Sequence, residues 1–439
     1  MSFFGPISPP VLSEASTPVI RRALHRARIV TNFALVQAIV QVIGFFSGIL
    51  LIRHLNQREY AYFTIANTMQ GTLNVLADIG ISIGLVSIGG RVWHDRRRFG
   101  QLVKTALGLR RRMGLLAAAG IVPVLVWLLL RNGASINYML LLVLSVVVGL
   151  AAQLSIGVLS VVPRLRSDIP RIQTIDLTGA MVRLLALLAL IYLFLNSAVA
   201  LAVGSATLLL QLWMLHRYVV GAIDLDAPQN DDDRHAMLGF IRSQAANALF
   251  FCFQGQITVF LISIFGRQIS SIAEVGALGR LAMIFAVLSH LLANVFAPAF
   301  ARCQQLRKLR WQYIAIVGAV AGFSVIILAA ATFFPGQFLF VLGDKYSHLE
   351  RELLLMVGGA VITAMASTLW SLNASKAWIA GSWLYIPLTL GTQLALIPFT
   401  DFSSVIGVLT FNLISAIPSL FLNLVLSYRG FRSWQPAME

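Results

Sequence analysis

The sequence predicts an all-α polytopic membrane protein of about twelve transmembrane helices, arranged as two six-helix lobes around a central cavity. Three observations carry this reading. Long apolar runs fill most of the 439 residues, Lys and Arg gather on one side of those runs, and one strongly polar stretch divides the chain near its midpoint. A helix needs about 20 predominantly apolar residues to cross the hydrocarbon core. Segments that meet this lie at about 30–52, 61–88, 113–130, 137–161, 174–195, 198–219, 243–265, 274–300, 313–334, 352–373, 376–399 and 403–426. With charged residues at only 11%, so many uninterrupted runs exclude a water-soluble core.

The charges orient these crossings. Of the 33 Lys and Arg, 25 fall in the termini and in the loops on the side that the termini share. The opposite loops hold only Arg53, Arg58, Arg131, Arg267, Lys345 and Arg351, and the remaining two, Arg183 and Arg280, lie inside crossings. Such a bias predicts cytoplasmic termini. The net charge of +16 then describes topology and contact with anionic lipid headgroups. Because the basic residues are dispersed over short loops, no nucleic acid partner is expected. Cys252 and Cys303 form no disulfide framework, and the N-terminus shows no cleavable signal pattern.

The expected organisation is a cytoplasmic segment at 1–29, a first lobe at 30–220, a linker at 221–240, a second lobe at 241–428 and a tail at 429–439. The linker, with Asp224, Asp226 and Asp231 to Asp233, reads as a solvated connector. An offset of 215 residues aligns Asn32 with Asn247, Gln41 with Gln256, Glu59 with Glu274, Leu73 with Leu288 and Leu76 with Leu291. Both halves start on the same side, so the repeat is parallel, about an axis along the membrane normal. Phe99, Leu102, Val103, Ala106 and Leu107 share a helical face between two Arg clusters, as in an amphipathic helix lying in the inner interface. The basic run from Arg302 to Arg310, ending at Trp311, looks like its counterpart.

Polar side chains inside a bilayer usually face a bundle interior or a water-filled cavity. The first crossing carries Gln37, Gln41, Gly44 and Gly48 on one face. The second carries Thr64, Asn67, Gly71, Asn74, Asp78 and Ser82 within about 80°, at 100° per residue. The seventh has Gln244, Asn247, Gln254 and Thr258, and the eighth has Arg280, His290, Asn294 and Pro298. Tyr385 belongs to a stripe on the eleventh and Asn412, Ser415, Ser419 and Asn423 to one on the twelfth, while the third and ninth are nearly featureless. Stripes of this kind serve either as interhelical glue or as cavity walls. The charged members Asp78, Arg280 and His290 favour a solvated cavity for crossings one, two, seven and eight, whereas the hydroxyls of the twelfth suit glue. Bulk at Asn67 or Asn74 is expected to block the cavity, and bulk at Ile65, on the opposite face, to be tolerated.

Arg183 lies about 14 Å into the fifth crossing, at 1.5 Å per residue, with Asp176 two turns away on the same face. Two readings stay open: a structural pair of Arg183 with Asp176 or Asp78, or anion recognition by the fixed donor fork of guanidinium. Asp78, Asp176 and His290 are the candidates for ion coupling. No metal-ligand cluster, nucleophile elbow or phosphate-cradling glycine loop is present, so neither enzymatic activity nor a cofactor or metal is expected.

Short motifs then resemble, in order and spacing, those of the polysaccharide flippases of the multidrug/oligosaccharidyl-lipid/polysaccharide exporter superfamily. They are Gly48-Ile-Leu-Leu-Ile-Arg53-His-Leu, Glu59-Tyr60-Ala-Tyr-Phe63, Ala77-Asp78-Ile79-Gly80, Glu274-Val275-Gly276-Ala277-Leu278 with Arg280-Leu281 and Pro298, and Leu342-Gly343-Asp344-Lys345-Tyr346. The likeness spans about the whole chain. Asn56 stands where the family usually has Gly, and Gln256-Ile-Thr258 replaces an acidic residue often seen in the seventh helix. The resemblance implies a bacterial plasma (inner) membrane protein working by alternating access. Its substrate would be an undecaprenyl-diphosphate-linked oligosaccharide turned from the inner to the outer leaflet, with glycosyltransferases and a polysaccharide polymerase as partners. Arg183 and Arg280 would hold the diphosphate, and Arg53, at the outer end of the first helix, would take over near the exit. A small-molecule antiporter of the same fold is the alternative. Membrane glycosyltransferases, polymerases and ligases are disfavoured by the lack of a large outer loop.

In a background without Cys252 and Cys303, single cysteines at Asn56, Arg131 and Ser347 are expected to react with an impermeant thiol reagent added to intact cells, while cysteines at Arg97 and Gln229 do not. Labelling at Arg97 from outside would reverse the orientation.

Overall fold

The computed structural model describes residues 17–433 apart from 167, 267, 286–291, 293–295, 297–299, 301, 302, 304, 377 and 380. Side chains are described from Leu35 onward, except at 169, 192–194, 243, 244, 247 and 251. Among these residues the regular structure is entirely helical. The first half holds α1 (Thr17–His54), α2 (Gln57–Asp78), α3 (Ile81–Val92), α4 (Arg96–Arg131), α5 (Ile136–Leu159), α6 (Val161–Leu165), α7 (Ile169–Phe194) and α8 (Ser197–Ala222). The second holds α9 (Asp231–Phe265), α10 (Ile269–Ala282), α11 (Leu306–Phe333), α12 (Pro335–Leu342), α13 (Glu350–Ser375), α14 (Tyr385–Leu396) and α15 (Val405–Arg432).

Nine described helices are long and apolar enough to cross a membrane, and the bent pair α2–α3 makes a tenth. These fall on ten of the twelve expected crossings. The eighth starts as α10 and continues beyond the described residues; the eleventh contains α14, flanked by 3-10 turns. The second crossing is broken by a 45° bend, because Gly80 adopts a left-handed conformation with φ 79°, which costs glycine nothing for lack of a Cβ. Large side chains such as Leu115 and Leu116 stand outward with about 70% exposure, and only an apolar solvent would cover them. Trp311 and Tyr428 ring one end and Phe333, Phe334 and Phe399 the other, all exposed, in the manner of interfacial aromatic belts.

The stretch expected as an interfacial helix is instead the start of α4, continuous with the third crossing. Asp95 caps it, accepting from the Arg97 and Arg98 amides at 2.9 and 3.1 Å. Its apolar face is covered by protein, not lipid: Phe99, Leu102, Val103 and Ala106 are fully buried in a core with Val161, Val162, Val219, Ala222 and Met237. The acidic linker exposes Asp224, Asp226, Asp231 and Asp232 and buries only Asp233 of its acids, where it meets the basic end of α4. Arg98 forks both oxygens of the buried Asp233. Arg96 donates to the Gly221 carbonyl at 2.7 Å and Lys104 to that of Asp226 at 3.3 Å, while Thr105 Oγ1 accepts from the Asn230 amide at 3.1 Å.

The cores differ between the two ends of the bundle. At the lightly charged end one continuous core joins both halves, uniting Leu51, Ile52, Tyr60 and Phe63 with Val275, Leu278, Leu342, Tyr346 and Leu353. At the basic end it gives way to two separate cores. One belongs to the first half plus Met237 and Ile241 at the base of α9; the other, around Phe300, Leu309 and Leu372, belongs to the second half. The halves are thus sealed together at the lightly charged end. Polar contacts reinforce the seal. Arg53 donates to the Val341 and Phe340 carbonyls at 3.1 and 2.5 Å, Lys345 Nζ to those of Arg53 and Leu55 at 3.0 and 2.8 Å, and Arg131 to that of Ile264 at 2.6 Å. Burial in this corner pushes the Lys345 ammonium below its ordinary pKa.

Replacing Asp233 with Ala is expected to lower stability by about 1–2 kcal/mol, below the value for a fully buried pair because Arg98 is partly solvated. The Arg98→Ala, Asp233→Ala double variant should lose little more, as thermal unfolding in detergent would report. Simple additivity would mean that the two side chains act independently.

Candidate functional site

A polar cavity of about 550 Å³ opens inside the first half, between α1, α2, α5, α7 and α8. Small residues make room for it: Gly44 and Gly204 face open space, so a side chain added at either would project into the cavity. Of the expected cavity residues, Gln37, Gln41 and Asn67 line this space, together with Asp176 and Arg183. Gln70, Gln153 and Gln211 line it too. Sequence reasoning missed these three. Gln153 and Gln211 stand among scattered hydroxyl residues such as Ser145, Ser155, Ser205 and Thr207 in their crossings, a signal weaker than a long polar stripe.

Arg183 enters the cavity from α7 with its Nε buried and without a hydrogen-bond partner. No ion pair joins it to Asp176 or Asp78 among the described residues. The cation acting on Asp176 is Arg164. Asp78 is taken by Arg110, whose Nη1 stands 3.2 Å from Oδ1; Ser82 donates to the same oxygen at 2.7 Å, and Arg110 Nη2 donates to Asn74 Oδ1 at 3.4 Å. Asn74 and Asp78 do not line this first-half space. The two share a face with Asn67, but buried Arg110 captures them toward α4, away from the cavity. Ile65, expected on a tolerant face, is fully buried in the shared core, so added bulk there would overpack it.

Arg280 reaches across from the second half. Its guanidinium lies over α1, 3.4 Å from where a Cβ would stand on Gly48, one turn along from Gly44. It also sits beside the Tyr60 hydroxyl, which donates to the Gly276 carbonyl at 3.4 Å. The glycine at 48 is what permits this approach. Arg183 and Arg280 stand close enough for the charge of one to act on the other. Arg183 thus lines the cavity, while Arg280 of the other half lies over the neighbouring turn of α1, with no carboxylate pairing either of them among the described residues. Two like charges in a low-dielectric setting repel, and an anion entering between them would relieve that repulsion.

Arg53 lies outside the cavity, its donors committed to the seal and its guanidinium 5.1 Å from the Phe340 ring. Gln254 and Tyr385 line a second cavity, of about 470 Å³, between α9, α13, α14 and α15. Gln254 there exchanges hydrogen bonds of 3.0 and 2.8 Å with Gln393. His290 and Asn294 lie outside the described residues, as do the side chains of Gln244 and Asn247.

No family model matches the chain, and no curated protein matches it significantly in sequence. Among solved structures the likeness is one of fold. An inward-facing multidrug resistance MATE family transporter of the MOP superfamily gives a TM-score of 0.63 at 14% identity, over 91% of this chain and 100% of that one. The eukaryotic MATE transporter AtDTX14 gives 0.59 at 14% identity, over 93% and 99%. An outward-facing conformation of a multidrug resistance MATE family transporter gives 0.54 at 14% identity, over 93% and 96%. The chain is therefore a multi-pass membrane protein with the MATE-like transporter fold.

Gly44→Trp and Gly204→Trp are expected to fill the first-half cavity and abolish transport while membrane abundance and thermal stability stay unchanged. Gly221→Trp, equally unobstructed but outside the cavity, should remain active. Equal loss in all three would dissociate the cavity from transport.

Proposed function

We propose that this protein is a flippase that carries an undecaprenyl-diphosphate-linked oligosaccharide from the inner to the outer leaflet of the bacterial plasma membrane, for cell-surface polysaccharide export. Its termini face the cytoplasm. The observation that carries the reading is Arg183, its Nε buried without a hydrogen-bond partner at a cavity lined by amides, with Arg280 of the other half over the neighbouring turn of α1 and no carboxylate paired with either among the described residues. A cation inside the bilayer costs about 2.5–3.5 kcal/mol on insertion scales, so two in electrostatic contact call for an anionic partner. A diphosphate suits them, because each guanidinium offers parallel donors to phosphate oxygens. Amide side chains would accept the hydrophilic headgroup while the lipid tail stays in the bilayer.

The lobes, at 30–220 and 241–428, would rock about the seal. Since Arg280 belongs to the second lobe and Arg183 to the first, parting the lobes would separate the two guanidiniums and loosen the clamp. Arg53, freed as the seal opens, would meet the diphosphate near the exit. Asp176, in the cavity and unpaired with Arg183, is the carboxylate best placed for ion coupling, whereas Asp78 is already neutralised by Arg110. Glycosyltransferases would supply the substrate and a polysaccharide polymerase would consume it. The small-molecule antiporter shares this fold; what separates the two readings is the pair of arginines without carboxylate partners among the described residues, which would oppose a cationic drug.

Arg183→Ala and Arg280→Ala are each expected to weaken binding of undecaprenyl diphosphate by about 10- to 100-fold, the range for one charge-assisted contact. Lysine at either position should recover only part of this, having lost the planar fork. Normal binding and flipping in both alanine variants, at matched membrane abundance, would refute the clamp. Transport of a lipophilic cation in their place would establish the antiporter.

A further inference from the structure

The second-half cavity stands where the repeat would place it relative to the first. The first is built on crossings one, two, four, five and six. The second is built on seven, ten, eleven and twelve, counterparts of one, four, five and six. Their chemistry differs. The first contains Asp176 and Arg183; the described lining of the second has no acidic or basic side chain. Instead it presents three aromatic rings, Trp370, Trp383 and Tyr385, opposite a ladder of Asn412, Ser415, Ser419 and Asn423 along one face of α15. Trp383 is 70% and Trp370 42% exposed, so these rings are not consumed by packing. Ser415 Oγ and Asn423 Oδ1 are buried without a hydrogen-bond partner, although both residues line the cavity.

Helical packing leaves these two cavity-lining atoms without a partner, and an unmade hydrogen bond costs about 1–3 kcal/mol. An alkyl chain would leave the same atoms unsatisfied. A cation would find rings but no carboxylate. A neutral sugar meets every feature: its hydroxyls both donate and accept, as the ladder requires, and its C–H faces pack on aromatic rings.

The partition between the cavities is thin. On α9, Gln254 lines the second cavity while Gln256 approaches Gly71, which lines the first. Two residues apart on a helix point to nearly opposite faces, so a single helix, about 10–12 Å across, separates the two.

We propose that the second-half cavity is a glycan subsite that reads neutral sugars of the headgroup, while the first half holds the charged end. This rests on the flippase reading and adds to it a second, separable determinant of the substrate. The division of labour makes the sugar-reading surface independent of the anion-holding one.

The test uses the full-length protein in lipid nanodiscs and two synthetic probes: undecaprenyl diphosphate, and undecaprenyl diphosphate carrying neutral tetrasaccharides drawn from a panel of hexoses, deoxyhexoses and N-acetylhexosamines. At least one glycosylated probe is expected to bind roughly tenfold or more tightly than the bare lipid. Trp383→Ala and Ser415→Ala should erase that increment and leave bare-lipid binding intact, whereas Arg183→Ala should weaken both probes by a similar factor. Trp383→Phe, which keeps a ring, should keep part of the increment. An increment that survives Trp383→Ala and Ser415→Ala, or that is absent for every sugar in the unmodified protein, would overturn the subsite. Bare-lipid binding that ignores Arg183→Ala would instead overturn the clamp and leave the sugar increment to be judged on its own.

Discussion

Two positive charges held near each other inside an apolar bundle constrain the rest of this structure. Among the described residues neither Arg183 nor Arg280 has the carboxylate that would make it a structural fixture, and each is delivered by a different half of the chain. The means of holding them are specific. Gly48 lets the Arg280 side chain lie flat on α1, and Tyr60 stands beside its guanidinium. Arg110 draws Asp78 away on the far side of α2, so the acidic residue best placed in sequence to neutralise the site is spent elsewhere. The cavity's own carboxylate, Asp176, forms no ion pair with Arg183 among the described residues.

Around that constraint the two ends of the bundle are built from different forces. The lightly charged end is closed by a shared apolar core, and its polar stitches run from Arg and Lys to backbone carbonyls instead of to carboxylates. Such stitches do not depend on an acidic partner. The basic end carries the carboxylate pairing of Arg98 with Asp233, which ties the base of α9 to α4.

Much of the fold was legible because apolar length and Lys/Arg placement are properties of the sequence itself. Ten crossings stand where twenty-residue windows put them. Tertiary facts were harder to see. The amphipathic face at Phe99 to Ala106 has the pattern of a lipid-facing helix, and only the fold over of α6, α8 and the base of α9 turns it into core. Periodicity placed Asn67, Asn74 and Asp78 on one face, yet it could not show that α4 lies against part of that face and brings Arg110 to it. Arg183 was visible as a charge in an apolar run. Its lack of a carboxylate became clear only once Asp176 and Asp78 had been placed. Of the second-half cavity, Gln254 and Tyr385 were legible from their polar stripes, whereas the hydroxyls of the twelfth crossing looked like packing groups and Trp370 and Trp383 gave no periodic signal.

The base of α9 deserves a mechanical reading. Met237 and Ile241 are embedded in the core of the first half, while Gln254, little more than three turns along the same unbroken helix, faces the cavity of the second. The acidic linker is bound to α4 as well. The chain therefore changes allegiance within a continuous helix, with no loose tether between the halves. Any motion of one half against the other would load α9 as a cantilever, clamped at its base, with torque rather than slack passing between the two cavities.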